Sequence, residues 1–280
     1  ATRNVYTWVN GTTKAIDFKT LSTLNTNGVV AANASSNKET LLINTITQDQ
    51  IDFLRGVRTN EGANGLGIFR ARETIMGDVI NATPVLVKDV INLGYENLPA
   101  GTPGLSSYSA YKVSKGTTVN GGTRDEGVLF IGANDGMLHA FREGTGTGSG
   151  GNEIFAYVPR GVLGKVHQLT SKTYTHQYFV DGPLVETDAY IMAPNLLTAG
   201  SSLRWTNMVL GNLGAGGKGV FAIDTTTPLS MSAKSVLWEV NSDLTDFADL
   251  GYAMGEVQAG ITASGDWVAI FGNGKYGTSG

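Results

Sequence analysis

The spacing of apolar residues changes along this chain of 280 residues. Near the start, one helical pattern stands out. Ile51 and Leu54 share a face, Thr47 and Gln50 fit a capping box, and Gly56 supplies a stop. This spacing predicts one short helix near residues 47–55. From Gly77 onward, short apolar runs broken by Gly, Asn, Asp and Thr predict strands instead. A first series comprises Val79–Val87, Val128–Ile131, Met137–Phe141 and Ile154–Val158. A second comprises Tyr178–Val180 with Leu184 and Val185, then Met208–Leu210, Val220–Ile223 and Val236–Trp238. A third opens with Val257–Ile261 and Trp267–Phe271.

The order of elements repeats although the spacing of the equivalent glycines Gly132, Gly211 and Gly272 does not. Four-strand units with Gly-rich turns are the sequence mark of a β-propeller, in which neighbouring sheets bury faces that one sheet cannot bury alone. A meandering sandwich also has short strands, but not in repeated fours. The expected class is therefore all-β: an incomplete or modified β-propeller of four-stranded blades. Residues 1–76 read as a lead-in segment that starts the propeller domain. Residues 77–280 read as two full units and part of a third. That is too few for a closed ring, so the chain is expected to be a fragment of a longer protein with further blades.

Composition narrows the function classes. The 38 glycines follow no three-residue period, which excludes collagen and favours many tight turns. Cysteine is absent, so disulfides, thiolate metal sites and Cys nucleophiles are excluded. The net charge of −4 and the lack of any basic run argue against nucleic acid as a partner. No apolar run approaches the roughly 18 residues of a spanning helix, and the first residues carry no signal-peptide pattern.

Each candidate for chemistry has a structural reading beside it. Gly214, Gly216 and Gly219 satisfy G-x-G-x-x-G, but the motif opens a strand, whereas a phosphate loop must open a helix. The Walker pattern fails around Asn212, Gly217 and Lys218. The Gly211–Gly219 segment is expected to be a turn, and Gly144–Gly151 a hairpin tip. Asn134, Asp135 and Gly136 read as a hairpin turn rather than as a ligand set. His139 lies in an apolar strand and reads as a packed residue. A metal site would need it to converge with His167 or His176 and a carboxylate. Asp243, Asp246 and Asp249 fit a short helix starting near Ser242. Asp181, Glu186 and Asp188 lie around a turn and a strand, where a surface cation is conceivable. No Gly-x-Ser-x-Gly nucleophile elbow occurs. No catalytic, cofactor-binding or metal-binding residue is therefore assigned.

Several segments together resemble the C-terminal domain of the PilY/PilC family of type IV pilus tip-associated adhesins. They are Met76-Gly-Asp-Val79 with Ala82-Thr-Pro84, Phe130–Phe141, Glu153–Arg160, Tyr178–Pro183, Gly211–Asp224, Leu237-Trp-Glu239, Asp249–Tyr252 and Trp267–Gly274. They occur in the family's order over roughly residues 50–276. The resemblance implies a modified β-propeller on a secreted protein at the pilus tip or the outer-membrane surface. It implies a non-catalytic role in pilus biogenesis and in surface or host adhesion. The implied partners are minor pilins or the tip complex, and a host or surface receptor. It further implies a calcium-binding, Asp-rich loop, expected C-terminal to Gly280. No Asp-x-[Asp/Asn]-x-[Asp/Asn]-Gly spacing occurs in this chain, so no cofactor is assigned to its residues. Two alternatives stand beside this. One is a quinone-dependent dehydrogenase-like propeller, which this chain resembles only at the level of blades. The other is a carbohydrate-binding propeller using surface Trp and Tyr. Asn25–Lys38, Leu98–Arg124 and Gly144–Gly151 are expected to be exposed loops available to partners.

Overall fold

A computed structural model describes residues 3–9, 15–23, 46–62, 67–88, 90–117, 126–144, 150–192 and 202–276. The predicted helix is present. Helix α1 spans Gln48–Leu54, Thr47 is its N-cap, and the capping box with Gln50 is formed. Its Ile51, Phe53 and Leu54 are buried.

The predicted strands assemble as consecutive antiparallel units. In the first sheet, β1 (Val5–Thr7), β2 (Ile16–Asp17), β3 (Val85–Val87), β4 (Val128–Ala133), β5 (Met137–Arg142) and β6 (Glu153–Val158) take the order β2-β1-β6-β5-β4-β3. Strands β3 to β6 form the meander expected of the first unit. Strand β1 adds to the outer edge of β6 in parallel, with Val5 opposite Ala156. The second sheet is the four-stranded meander β7 (Leu184–Ile191), β8 (Arg204–Asn212), β9 (Gly219–Asp224) and β10 (Val236–Asn241). A hairpin of β11 (Gln258–Ile261) and β12 (Trp267–Ile270) opens the third. Strand β7 lies beside both β3 and β11, so the first strands of successive units share an inner edge.

Strand periodicity explains why the units stack. Side chains alternate between faces with a period of two. Val209, Phe221 and Ile223 of the second sheet join a core with Phe130, Leu138 and Tyr157 of the first. Met208, Leu210, Val220 and Ala222 point the other way, onto Ala253, Val257 and Trp267 of the third unit. Tyr157 meets Phe221 edge-on at 5.8 Å between centroids, a favoured aromatic geometry. The outermost faces stay open: Leu86 on β3, and Val268 and Ile270 on β12, are exposed.

Three expectations are corrected. Of Val79–Val87 only Val85–Val87 is a strand, because Pro84 has no amide to donate and the chain before it packs against a hairpin tip. Tyr178–Val180 is not a strand. Its amides go to the tip between β4 and β5, where Phe179 N donates to Asn134 Oδ1 (2.9 Å) and Val180 N to the Ala133 carbonyl (3.4 Å). Leu98–Arg124 is not simply an exposed loop. It contains helix α2, Leu105–Thr117, which buries Tyr108 completely. A further unforeseen helix, α3 (Arg160–Val166), follows β6 and buries Val162, Leu163 and Val166. Near Ser242 the helical turn is a 3-10 turn over Thr245–Phe247. Asn25–Lys38 and the centre of Gly144–Gly151 lie outside the described residues.

The segment Phe179–Gly182 forms a strap between the two sheets, gripped by both hairpin tips. On one side it meets Ala133 and Asn134; on the other, Asp181 N donates to the Leu213 carbonyl at 3.3 Å. The approach is so close that side chains are excluded. A Cβ at Gly132 would sit 2.4 Å from the Val180 carbonyl oxygen, and one at Gly216 only 1.7 Å from that of Phe179. A backbone atom cannot step aside as a side chain can. Gly216→Ala is therefore expected to destabilise the protein by at least about 3 kcal/mol in urea denaturation. Gly255→Ala, whose Cβ would meet nothing within 4 Å, is expected to stay within about 0.5 kcal/mol of the parent.

Candidate functional site

The hairpin tip that grips the strap also organises a buried charge chain. Gly136, at φ +93°, closes the turn between β4 and β5. Asp135 beside it accepts the amides of Met137 and Gly77, each at 3.2 Å. His139, in β5, is 1% exposed. Its Nε2 lies 3.1 Å from Asp135 Oδ1 and its Nδ1 2.7 Å from Glu153 Oε1. Glu153 in turn accepts from Arg3 Nη2 at 2.6 Å. Both imidazole nitrogens face carboxylates, which favours the doubly protonated ring. Burial opposes that charge, but Asp135 and Glu153 outweigh it and raise the His139 pKa to about 9. Burial also raises the Glu153 pKa, yet Arg3 and His139 bring it down to about 2. The packed histidine expected from the sequence is thus also the cation of an Arg3–Glu153–His139–Asp135 chain.

A polar cavity of about 320 Å³ adjoins this chain, lined by Arg70, Asp78, Asn134, Asp135 and His176 among others. His176 Nε2 pairs with Asp78 Oδ2 at 2.9 Å, and Arg70 lies over the Tyr174 ring at 4.7 Å.

A second centre joins the two sheets. Glu239 of β10 is buried against the start of α3, where its carboxylate accepts the amides of Arg160 and Gly161, both at 2.8 Å. It also accepts the Tyr157 hydroxyl from β6. A first helical turn has unpaired amides and a positive end, so it suits a carboxylate. Burial still dominates and pushes the Glu239 carboxyl up to about 7 despite these donors. The Arg160 guanidinium pairs with Asp243 at 2.9 Å.

A third centre lies under α2. Asp188 is fully buried. Its Oδ1 accepts from Tyr111 (2.9 Å), Asn207 (3.0 Å) and Lys115 Nζ (3.3 Å), and its Oδ2 from Tyr108 (3.3 Å). Glu186 shares Lys115 at 3.1 Å. The surface-cation reading of Asp181, Glu186 and Asp188 is thereby revised, because the Lys115 ammonium stands where a cation would. Asp181 belongs elsewhere: it is buried and accepts the amide and side chain of Asn81 at 3.0 and 2.6 Å.

The remaining candidates fall out as follows. Gly214–Gly216 is a 3-10 turn and Gly219 opens strand β9, the turn-and-strand context expected for that glycine motif. His167 sits on the 3-10 turn after α3, apart from the His176–Asp78 pair. Among the described residues, no group of three or more His, Asp or Glu is placed to hold a metal ion. Sequence reasoning missed Arg3, Lys115 and Glu239. Their partners lie 150, 73 and 82 residues away, respectively, in Glu153, Asp188 and Tyr157, so no local spacing could have flagged them.

Stacked four-strand meanders about a common inner edge, with strapped hairpin tips and open outer faces, define an incomplete β-propeller. The family model of the PilY1 beta-propeller domain matches residues 76–279. The chain belongs to that family. It is 39% identical over 239 residues to a type IV pilus biogenesis factor PilY1 homolog of Xylella fastidiosa (strain Temecula1 / ATCC 700964), covering 84% of this chain and 15% of that protein. It is 35% identical over 230 residues to type IV pilus biogenesis factor PilY1 of Pseudomonas aeruginosa (strain PAK), covering 81% and 17%. The chain thus spans about a sixth of the length of these relatives. It also matches the crystal structure of the Pseudomonas aeruginosa PilY1 C-terminal domain, with a TM-score of 0.45 and 30% identity over 69% of this chain and 32% of that one.

Two pH windows follow from the buried centres. The folded protein holds a proton on His139 up to about pH 9, whereas an ordinary histidine gives it up near 6.5. The stability this contributes is complete below 6.5 and is lost as pH rises through 9, a loss of up to about 3 kcal/mol. His139→Gln is expected to flatten the stability–pH curve in that window. Glu239 likewise has a raised pKa, so its contribution falls as pH rises from 4.5 through about 7. Glu239→Gln is expected to remove that slope and to lower stability by about 1–3 kcal/mol at neutral pH, through a buried donor left without its acceptor. Chemical denaturation across pH 4.5–9 reads both.

Proposed function

We propose that this chain is a non-catalytic propeller segment of a type IV pilus biogenesis factor, acting at the pilus tip or the outer-membrane surface. Its membership of the PilY1 beta-propeller family carries the reading. The names of the two relatives point the same way: both are type IV pilus biogenesis factors. The chemistry of the buried centres agrees. Both nitrogens of His139 are engaged by carboxylates, which leaves no lone pair for a general base. The Glu239 carboxylate is spent on a helix start and a tyrosine hydroxyl. Glu239 ties the second sheet to the helix that follows the first, and the His139 chain ties the N-terminal strand to the first sheet, so both serve the fold.

Adhesion belongs to the same proposal, with minor pilins or the tip complex as one partner and a host or surface receptor as another. Regulation by calcium, through an Asp-rich loop downstream of Gly280, is part of it too. No helix among the described residues is long and apolar enough to cross a membrane. Deletion of the gene is the test. The expected result is a sharp fall in surface pili and in attachment, restored by the intact gene and not by a Gly216→Ala copy. A deletion strain with normal pili and normal attachment contradicts the proposal.

A further inference from the structure

The centre under α2 holds more than an ion pair. Lys115, on α2, is 6% exposed, while Asp188 and Asn207, on β7 and β8, are wholly buried. Lys115 Nζ lies 3.1 Å from Glu186 Oε1 and 3.3 Å from Asp188 Oδ1. The rings of Tyr108, Tyr111 and Trp205 close the site, with Tyr108 and Trp205 centroids 4.4 Å apart and Tyr111 and Trp205 5.9 Å apart. Such a site holds an amine against a carboxyl group, with a second carboxylate touching the amine and two hydroxyls touching the carboxyl. Burying these charges costs desolvation energy that their attraction repays only in part. Turning the ammonium and carboxylate into a neutral amide removes two of the buried charges, and a water-poor site resists the reverse hydrolysis.

We infer that Lys115 and Asp188 are joined by an intramolecular isopeptide bond, formed after folding and assisted by Glu186. The Glu186 carboxylate takes a proton from the Lys115 ammonium. Glu186 hands that proton to an Asp188 oxygen, and the freed Nζ lone pair attacks Cγ of the resulting carboxylic acid, which the fold already holds against it. The developing oxyanion is held by the Tyr108 and Tyr111 hydroxyls, which donate to the two Asp188 oxygens at 3.3 and 2.9 Å. Glu186 then carries a second proton, from Nζ, to the hydroxyl so formed on Asp188, and the C–O bond breaks as water departs. An ammonium and a carboxylate become an amide and one water, with no oxidant and no co-reactant, and Glu186 ends as it began. Asn207 Nδ2 donates to both Glu186 Oε1 and Asp188 Oδ1, at 2.9 and 3.0 Å, and so holds the two carboxylates in position. The product staples α2 to the second sheet across 73 residues of chain.

Tryptic mapping of the intact protein by mass spectrometry tests this. The expected result is no cleavage after Lys115, and a single branched species whose mass is the Lys115 and Asp188 peptides less one water. In Glu186→Gln the two peptides are expected to separate at their full masses. Ordinary cleavage after Lys115 in the parent protein overturns the inference, as does loss of water without a cross-link. A cross-link to Asn207 with loss of ammonia overturns the choice of Asp188, and a link that persists in Glu186→Gln overturns the part given to Glu186.

Discussion

The close passage of the Phe179–Gly182 strap between two hairpin tips is the contact on which the rest of the structure depends. It carries the chain from the first sheet to the second and fixes their spacing. Three amides of the strap, those of Phe179, Val180 and Asp181, are donated to the two tips. Buried amides need such partners, and here the partners lie on different sheets. The pattern recurs on either side. Before β3, the Asp78 carbonyl accepts the Asn134 amide. Before β11, the Gly255 carbonyl accepts Asn212 Nδ2. Each of the first two units is thus tied to its own lead-in strap and to that of the next. The stacking of β-sheet faces then supplies apolar burial that the straps have already aligned.

The buried charges reinforce those junctions. The Arg3–Glu153–His139–Asp135 chain ties the N-terminal strand and the strap before β3 to the tip of the first sheet. Glu239 ties the outer strand of the second sheet to the helix that follows the first. The Lys115–Asp188 centre ties α2 to β7. Opposite charges placed on different elements are expensive to expose singly, so each centre makes its elements separate together or not at all.

The local features of this arrangement were legible in the sequence. The capping box at Thr47 and Gln50, the Asn134–Gly136 turn, and the apolar runs Met208–Leu210 and Val220–Ile223 are short-range signals, and each formed as read. The straps were misread for a physical reason. Val79 and the Phe179–Val180 pair are apolar and extended, as strand residues are, but their neighbours in space are hairpin tips rather than a strand. Helix α2 was missed because its inward face is made of buried Tyr108 and Lys115 and half-buried Tyr111, so no apolar stripe announces it. The ionic centres were missed because Arg3, Lys115 and Glu239 meet partners far along the chain. The glycine excess was visible from the outset, whereas its cause at Gly132 and Gly216 was visible only once two backbones were placed side by side.

Native-state hydrogen exchange of the strap amides tests the central claim most directly. If the strap locks the two sheets together, the amides of Phe179, Val180 and Asp181 exchange only through the global opening that also exposes Val209 and Leu210 of β8. Asn134→Ala, which removes the acceptor of the Phe179 amide, then lowers the protection of both groups together. Strap amides that exchange orders of magnitude faster than those of β8, with β8 unmoved by Asn134→Ala, would contradict the account.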